Sequence, residues 1–226
     1  MPRRARAFAT LLLLLIAAAD FAEGAVEATP LDASRPQVVL VHGIWDTAAK
    51  FNKMAGRLTV AGWQVHAITL DPDDASVPLE RSAAQLGAYI EERIGPDLHF
   101  GIVAFSMGGL VARYYLQRMG GLARLTRLVT ISTPHHGTRA ANLDWLPGAV
   151  EMRPESLFLR DLNTDIMMLS VVPVTSIWSP QDIGIQPPES SQLPFGTDVR
   201  IPGGMHSFML TDERVIQAVL AALGEQ

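Results

Sequence analysis

The chain has no cysteine among its 226 residues. That absence excludes disulfides, thiolate metal sites and acylation as a cysteine-linked lipoprotein, so stability must come from the apolar core. There is also no internal repeat, no low-complexity tract beyond a leucine run near the N-terminus, and no cluster of lysine and arginine beyond the first six residues. A chain of net charge −5 without a basic patch is not built for nucleic acid, which proteins hold chiefly through its phosphates. Nor is there an apolar run of the about 20 residues that a membrane-spanning helix needs.

What is present fits one domain: 48% of residues are hydrophobic and 18% charged, at a length near the common range of about 100–200 residues. Arg3, Arg4 and Arg6 precede an apolar run from Ala7 to Ala19, and small and acidic residues follow it. This is the order of a secretory signal peptide. Residues 1–24 are therefore expected to be removed and the mature protein to be exported, secreted or periplasmic; an uncleaved membrane anchor is the alternative. Ala17-Ala18-Ala19 and Ala22-Glu23-Gly24 both offer a cleavage site. Removal takes away three arginines and two acids, moving the formal charge from −5 to −6. Residues 25–36 read as a polar, proline-containing linker, and residues 37–226 as the folded domain.

Short apolar runs rich in β-branched residues occur at Gln37 to Val41, Gln64 to Thr69, Phe100 to Ala104, Leu125 to Ile131, Val171 to Trp178 and, weakly, Asp198 to Ile201. Between them lie helical patterns at about Ala48 to Ala61, Leu79 to Ile94 and Ser106 to Arg118. Strands apolar on both faces that alternate with helices imply a parallel sheet covered on each side. A terminal helix is marked by Thr211 as the expected N-cap, by Asp212 and Glu213 in its first turn, and by a stripe of Val215, Ile216, Val219, Leu220 and Leu223. The stretch from Thr138 to Ser170 is less regular, with a short helix expected near Ser156 to Leu162. It reads equally as a substrate-covering insertion or an ordinary connection.

The chemistry concentrates at Ala104-Phe105-Ser106-Met107-Gly108-Gly109, between a strand pattern and a helix pattern. A serine on so sharp a turn needs small residues two before and two after it, and Ala104 and Gly108 meet that need. A helix that starts at the serine aims its N-terminal N–H groups at an oxyanion formed there. The Met107 N–H is the expected first oxyanion donor. His42-Gly43-Ile44-Trp45-Asp46 follows the first strand and can supply the second, from the Ile44 N–H; His42 itself reads as a positioning residue. Asp182 follows the Val171 to Trp178 run, and His206 lies in Gly203-Gly204-Met205-His206-Ser207. Ser106, Asp182 and His206 thus occur in the order nucleophile, acid, base. Asp198 satisfies the same order but begins its strand pattern, which puts it at the opposite sheet edge. His135 and His136 are adjacent, and two candidate ligands do not make a metal site. His66 and His99 are expected at structural strand positions.

Taken with Val41-His42-Gly43 and Thr133-Pro134-His135-His136-Gly137-Thr138, these motifs resemble the small bacterial lipase/esterase branch of the α/β-hydrolase family, from about Gln37 to the C-terminus. The resemblance implies an α/β fold with a roughly six-stranded, mainly parallel sheet, helices on both faces and no sizeable cap. It implies hydrolysis of carboxylic, acyl or lipid esters through an acyl-serine intermediate, with no cofactor needed. The expected partners are an ester substrate and, transiently, a lipid surface. The same triad would serve an acyltransferase or thioesterase. A non-catalytic lipase-folding or binding protein on this fold is the reading from another class, and it would not need all these groups together.

Overall fold

The computed structural model describes residues 31–224, so the expected signal peptide (residues 1–24) and the first part of the linker lie outside the described residues. Six strands form the described sheet: β1 (Gln37–Val41), β2 (Gln64–Ile68), β3 (Phe100–Phe105), β4 (Leu125–Ile131), β5 (Val174–Trp178) and β6 (Thr197–Arg200). Their order is β2-β1-β3-β4-β5-β6, and every neighbouring pair is parallel. Six α-helices accompany them: α1 (Asn52–Val60), α2 (Leu79–Arg93), α3 (Met107–Arg118), α4 (Pro147–Glu151), α5 (Leu157–Thr164) and α6 (Glu213–Leu223).

Successive strand residues point to opposite faces of a sheet, and here the two faces feed two cores. Val39 and Val41 of β1, with Phe100, Ile102 and Ala104 of β3, join Leu79, Leu86 and Ile90 of α2, Leu110 of α3 and Leu162 of α5. Val38 and Leu40, with Val103 and Phe105, join Met54 and Leu58 of α1 and Val215, Ile216 and Val219 of α6. Both faces are therefore covered, which is why the strands read as unbroken apolar runs. Full burial of each such Leu, Ile or Phe contributes about 1.5–3 kcal/mol.

Several details differ from expectation. The Val171 to Trp178 run is not one strand: Ile166–Val171 forms a 3₁₀ turn and β5 starts only at Val174. Pro173 separates the two, since it has no N–H to give to a ladder. The first helical stretch is split into a 3₁₀ turn, Ala48–Phe51, and α1. The terminal helix is capped by Asp212, whose side chain accepts the Arg214 N–H, and not by Thr211, which precedes the cap and donates its hydroxyl to the Phe208 carbonyl. A carboxylate at that position also meets the positive end of the helix dipole. His66 lies within β2, but His99 falls one residue before β3 and is exposed.

Candidate active site

Parallel strands deliver all their C-terminal ends to one sheet edge, and the candidate residues meet there. Ser106 stands between β3 and α3 with φ 52° and ψ −125°, a backbone conformation costly for any residue with a side chain. The surroundings enforce it. The Ser106 N–H donates to the Ile131 carbonyl at 2.9 Å. A Cβ on Gly108 would lie 2.3 Å from the His42 carbonyl oxygen, and one on Gly109 would lie 2.0 Å from Thr133 Oγ1. Both glycines are thus demanded by close approach, the second by the Thr133 to Thr138 segment.

His206 follows the loop after β6, and Asp182 the loop after β5. His206 Nε2 is 3.0 Å from Ser106 Oγ, and His206 Nδ1 is 2.8 Å from Asp182 Oδ2. Asp182 is buried, and its other oxygen accepts the N–H groups of Gly184 at 2.9 Å and Ile185 at 3.2 Å. The Phe105 ring lies 4.9 Å from the His206 ring, centroid to centroid. Asp198, the rival carboxylate, accepts instead from the Trp178 indole at 2.6 Å and from Gln192 at 2.9 Å. It sits near the start of β6, paired in register with Ser176, and makes no contact with His206.

The loop after β1 presses against the serine, since a Cβ on Gly43 would lie 2.9 Å from Ser106 Cβ. Buried His42 holds this loop. Its Nδ1 donates to the Gly43 carbonyl at 2.7 Å, and its Nε2 accepts the Leu70 N–H at 2.8 Å. Both bonds together need the neutral ring, and burial lowers the His42 pKa in that direction. The N–H groups of Ile44 and Met107 have no acceptor among the described residues. Both lie near Ser106 along the chain, one next to Gly43 and one directly after the serine.

His135 and His136 stand apart from the serine's partners. His135 is fully buried, with Nε2 3.1 Å from Thr130 Oγ1, and Asn163 donates to its carbonyl at 3.1 Å. Burial and the neighbouring Arg113 guanidinium push its pKa well down. Arg113, buried on α3, donates to the Leu162 carbonyl at 2.8 Å and to Asn163 Oδ1 at 2.9 Å, and so fastens α3 to the end of α5. Among the described residues, no group of three or more His, Cys, Asp and Glu is placed to hold a metal. Sequence reasoning gave no individual role to Phe105, Thr138 or Gly184. The Asp182-Ile183-Gly184 spacing carried a signal, because an Asp side chain commonly accepts the N–H two residues on.

Several large apolar side chains next to the site are exposed. Trp45, Ile183, Met205 and Phe208 adjoin the candidate residues in sequence and are each more than half exposed. The two described cavities lie elsewhere, and neither is lined by Ser106, Asp182 or His206.

Sheet order, elbow and convergent loops define an α/β-hydrolase fold. The sequence model of palmitoyl protein thioesterase matches residues 37–173, and the chain belongs to that family. Among solved structures, it is similar to the mature lipase BlEst2 of Bacillus licheniformis, at 18% identity over 86% of this chain and 94% of that one, with a TM-score of 0.66. Lipase B of Aspergillus fumigatus aligns at 20% identity over 85% of this chain and 53% of that one, TM-score 0.68. The monoacylglycerol lipase of Paleococcus ferrophilus aligns at 17% identity over 82% and 93%, TM-score 0.64. At these identities the likeness is one of fold. No curated protein sequence matches the chain.

Proposed function

We propose that the protein hydrolyses acyl esters and thioesters through an acyl-serine intermediate, with Ser106 as nucleophile, His206 as general base and acid, and Asp182 as the carboxylate that orients it. The observation that carries this reading is the continuous pair of contacts from Ser106 Oγ to His206 Nε2 and from His206 Nδ1 to Asp182 Oδ2. In the first step His206 Nε2 takes the hydroxyl proton while Ser106 Oγ bonds to the acyl carbon. The negative charge that develops on the acyl oxygen is met by the Met107 and Ile44 N–H groups. His206 then returns the proton to the leaving alcohol or thiol as its bond to the acyl carbon breaks. Water, deprotonated by the same imidazole, releases the acid.

A family described by palmitoyl protein thioesterase favours a long acyl chain and a thioester among the substrates. The apolar side chains beside the site suit such a chain and a transient lipid surface. Triacylglycerol lipase and simple carboxylesterase activities use the same acyl-enzyme. The non-catalytic reading loses ground, since a binding role needs neither the strained serine nor the contacts behind it. Arg3 to Ala19 mark the protein for export from the cytoplasm by a cleaved signal peptide.

Wild type and Ser106→Ala should be assayed on p-nitrophenyl esters and acyl thioesters of graded chain length, and each exposed to a fluorophosphonate probe. Turnover should fall by about 10⁴–10⁶ in the variant, with labelling abolished and circular dichroism unchanged. A tenth of wild-type activity in folded Ser106→Ala would end the nucleophile assignment.

A further inference from the structure

The segment Thr133 to Thr138 reaches further than the elbow. Its last residue touches the loop that carries Asp182. Thr138 is buried, and its hydroxyl donates to the Gly184 carbonyl at 3.0 Å while accepting the N–H groups of Gln186 at 2.9 Å and Ala140 at 3.2 Å. A hydroxyl has one donor and two acceptor positions, so all of its capacity is used. The backbone is pinned on both sides as well. The Thr138 N–H donates to the Met152 carbonyl at 2.9 Å, and the Arg139 N–H to the Gln186 carbonyl at 2.8 Å.

The peptide unit between Gly184 and Ile185 joins this hydroxyl to the acid. Its carbonyl accepts from Thr138, and its N–H, on Ile185, donates to Asp182 Oδ1 at 3.2 Å. Asp182 Oδ2 is thereby left for His206 Nδ1. A hydrogen bond accepted at a carbonyl polarises its peptide and strengthens the N–H on the far side as a donor. The same unit also seats the imidazole, since a Cβ on Gly184 would lie 2.7 Å from His206 Cγ. Carboxylate direction and ring position therefore depend on one peptide plane, and Thr138 holds that plane from outside.

We infer that Thr138 is a positioning residue for the reaction: its hydroxyl fixes the Gly184–Ile185 peptide and, through it, Asp182 and His206. The inference rests on the triad reading above. Thr138→Val keeps the shape but removes the donor to Gly184 and strands the Gln186 N–H. Misplacement of reacting groups from a change that touches no substrate costs up to about 10²-fold, so kcat should fall roughly 10- to 100-fold while KM stays constant. Thr138→Ser restores the hydroxyl and should restore most of kcat.

The test measures kcat and KM on one p-nitrophenyl ester for wild type, Thr138→Val and Thr138→Ser, together with amide hydrogen exchange at Ile185 and Gln186. A fall in kcat alone, recovery in the serine variant, and faster exchange of both amides in the valine variant support the inference. More than half of kcat retained by Thr138→Val, a serine variant no better than valine, or wild-type amides that exchange without protection would overturn it. If Thr138→Val does not fold, Thr138→Ala takes its place under the same criteria. Should Ser106→Ala stay active, the triad reading falls, yet the exchange of the two amides still decides whether Thr138 holds the loop.

Discussion

Glu151 closes α4 and meets Glu80 in the first turn of α2. Glu151 Oε2 accepts the Leu79 N–H at 2.7 Å, and Glu80 Oε2 is buried with no N–H or O–H partner among the described residues. The Glu80 carboxylate beside it favours the protonated form of Glu151. Burial first, and then the charge of Glu80, raise the Glu151 pKa from its ordinary 4.5 to about 7, against the lowering effect of the Leu79 N–H. Tyr114 on α3, Asp161 on α5, and Arg153 and Glu155 beyond α4 line the same cleft of about 560 Å³. None of these supplies a cation to the pair, because Arg153 is engaged with Trp145 and with the carbonyls of Ala141 and Asp144.

The folded state binds the proton more tightly than the unfolded chain does. Its stabilising effect is therefore fully present below pH 4.5 and is lost as pH rises through about 7. The ceiling on that loss is about 3 kcal/mol. Glu151 is only half-buried, and solvent screening reduces the figure to about 1–2 kcal/mol. Glu151→Gln keeps the acceptor for Leu79 and removes the ionisable group beside Glu80. It should melt about 2–8 °C above wild type at pH 8 and at the same temperature near pH 4. Thermal unfolding of both proteins at half-unit steps from pH 4 to 8.5 measures this. A glutamine variant that melts at or below wild type at pH 8 would refute the raised-pKa reasoning.

Asp182→Asn should leave the fold intact and lower turnover by up to about 10⁴, because the imidazole is then held in the wrong tautomer. Asp198→Asn, assayed beside it with circular dichroism, should retain most activity, and the reverse ranking would move the acid to Asp198. His206→Gln should abolish turnover on a p-nitrophenyl ester, whereas His135→Gln and His136→Gln should act mainly through stability, read by melting temperature; equal losses in turnover among folded variants would undo the His206 assignment. N-terminal sequencing of the exported protein should find Arg3 to Ala19 missing, and an intact N-terminus on membrane-bound protein would favour the anchor instead.

The sheet was legible because β1 and β4 are bounded in the sequence by the residues that bound them in space. His42-Gly43 ends the first apolar run, and Ser132 turns out of the last register pair of β4 with φ 46°. Periodicity failed where a single atom decides, as at Pro173 and at the choice between two adjacent caps, Thr211 and Asp212. A hydroxyl and a carboxylate both suit an N-cap; only the fold shows that the helix begins at Glu213, which puts Asp212 at the cap and its carboxylate on the Arg214 N–H. The contact between His206 and Asp182 was legible for a different reason. A parallel strand has a direction, so a carboxylate after β5 and one at the start of β6 must lie at opposite edges, whatever their environment. No comparable rule reaches Thr138. Its partners Gly184 and Gln186 lie 46 and 48 positions away on another loop, and nothing in the pattern of either segment encodes their meeting. Loops that converge on one edge are brought together by the sheet beneath them. The order of residues along the chain can thus name the groups that do chemistry, while the groups that hold them still become visible only after the strands are in place.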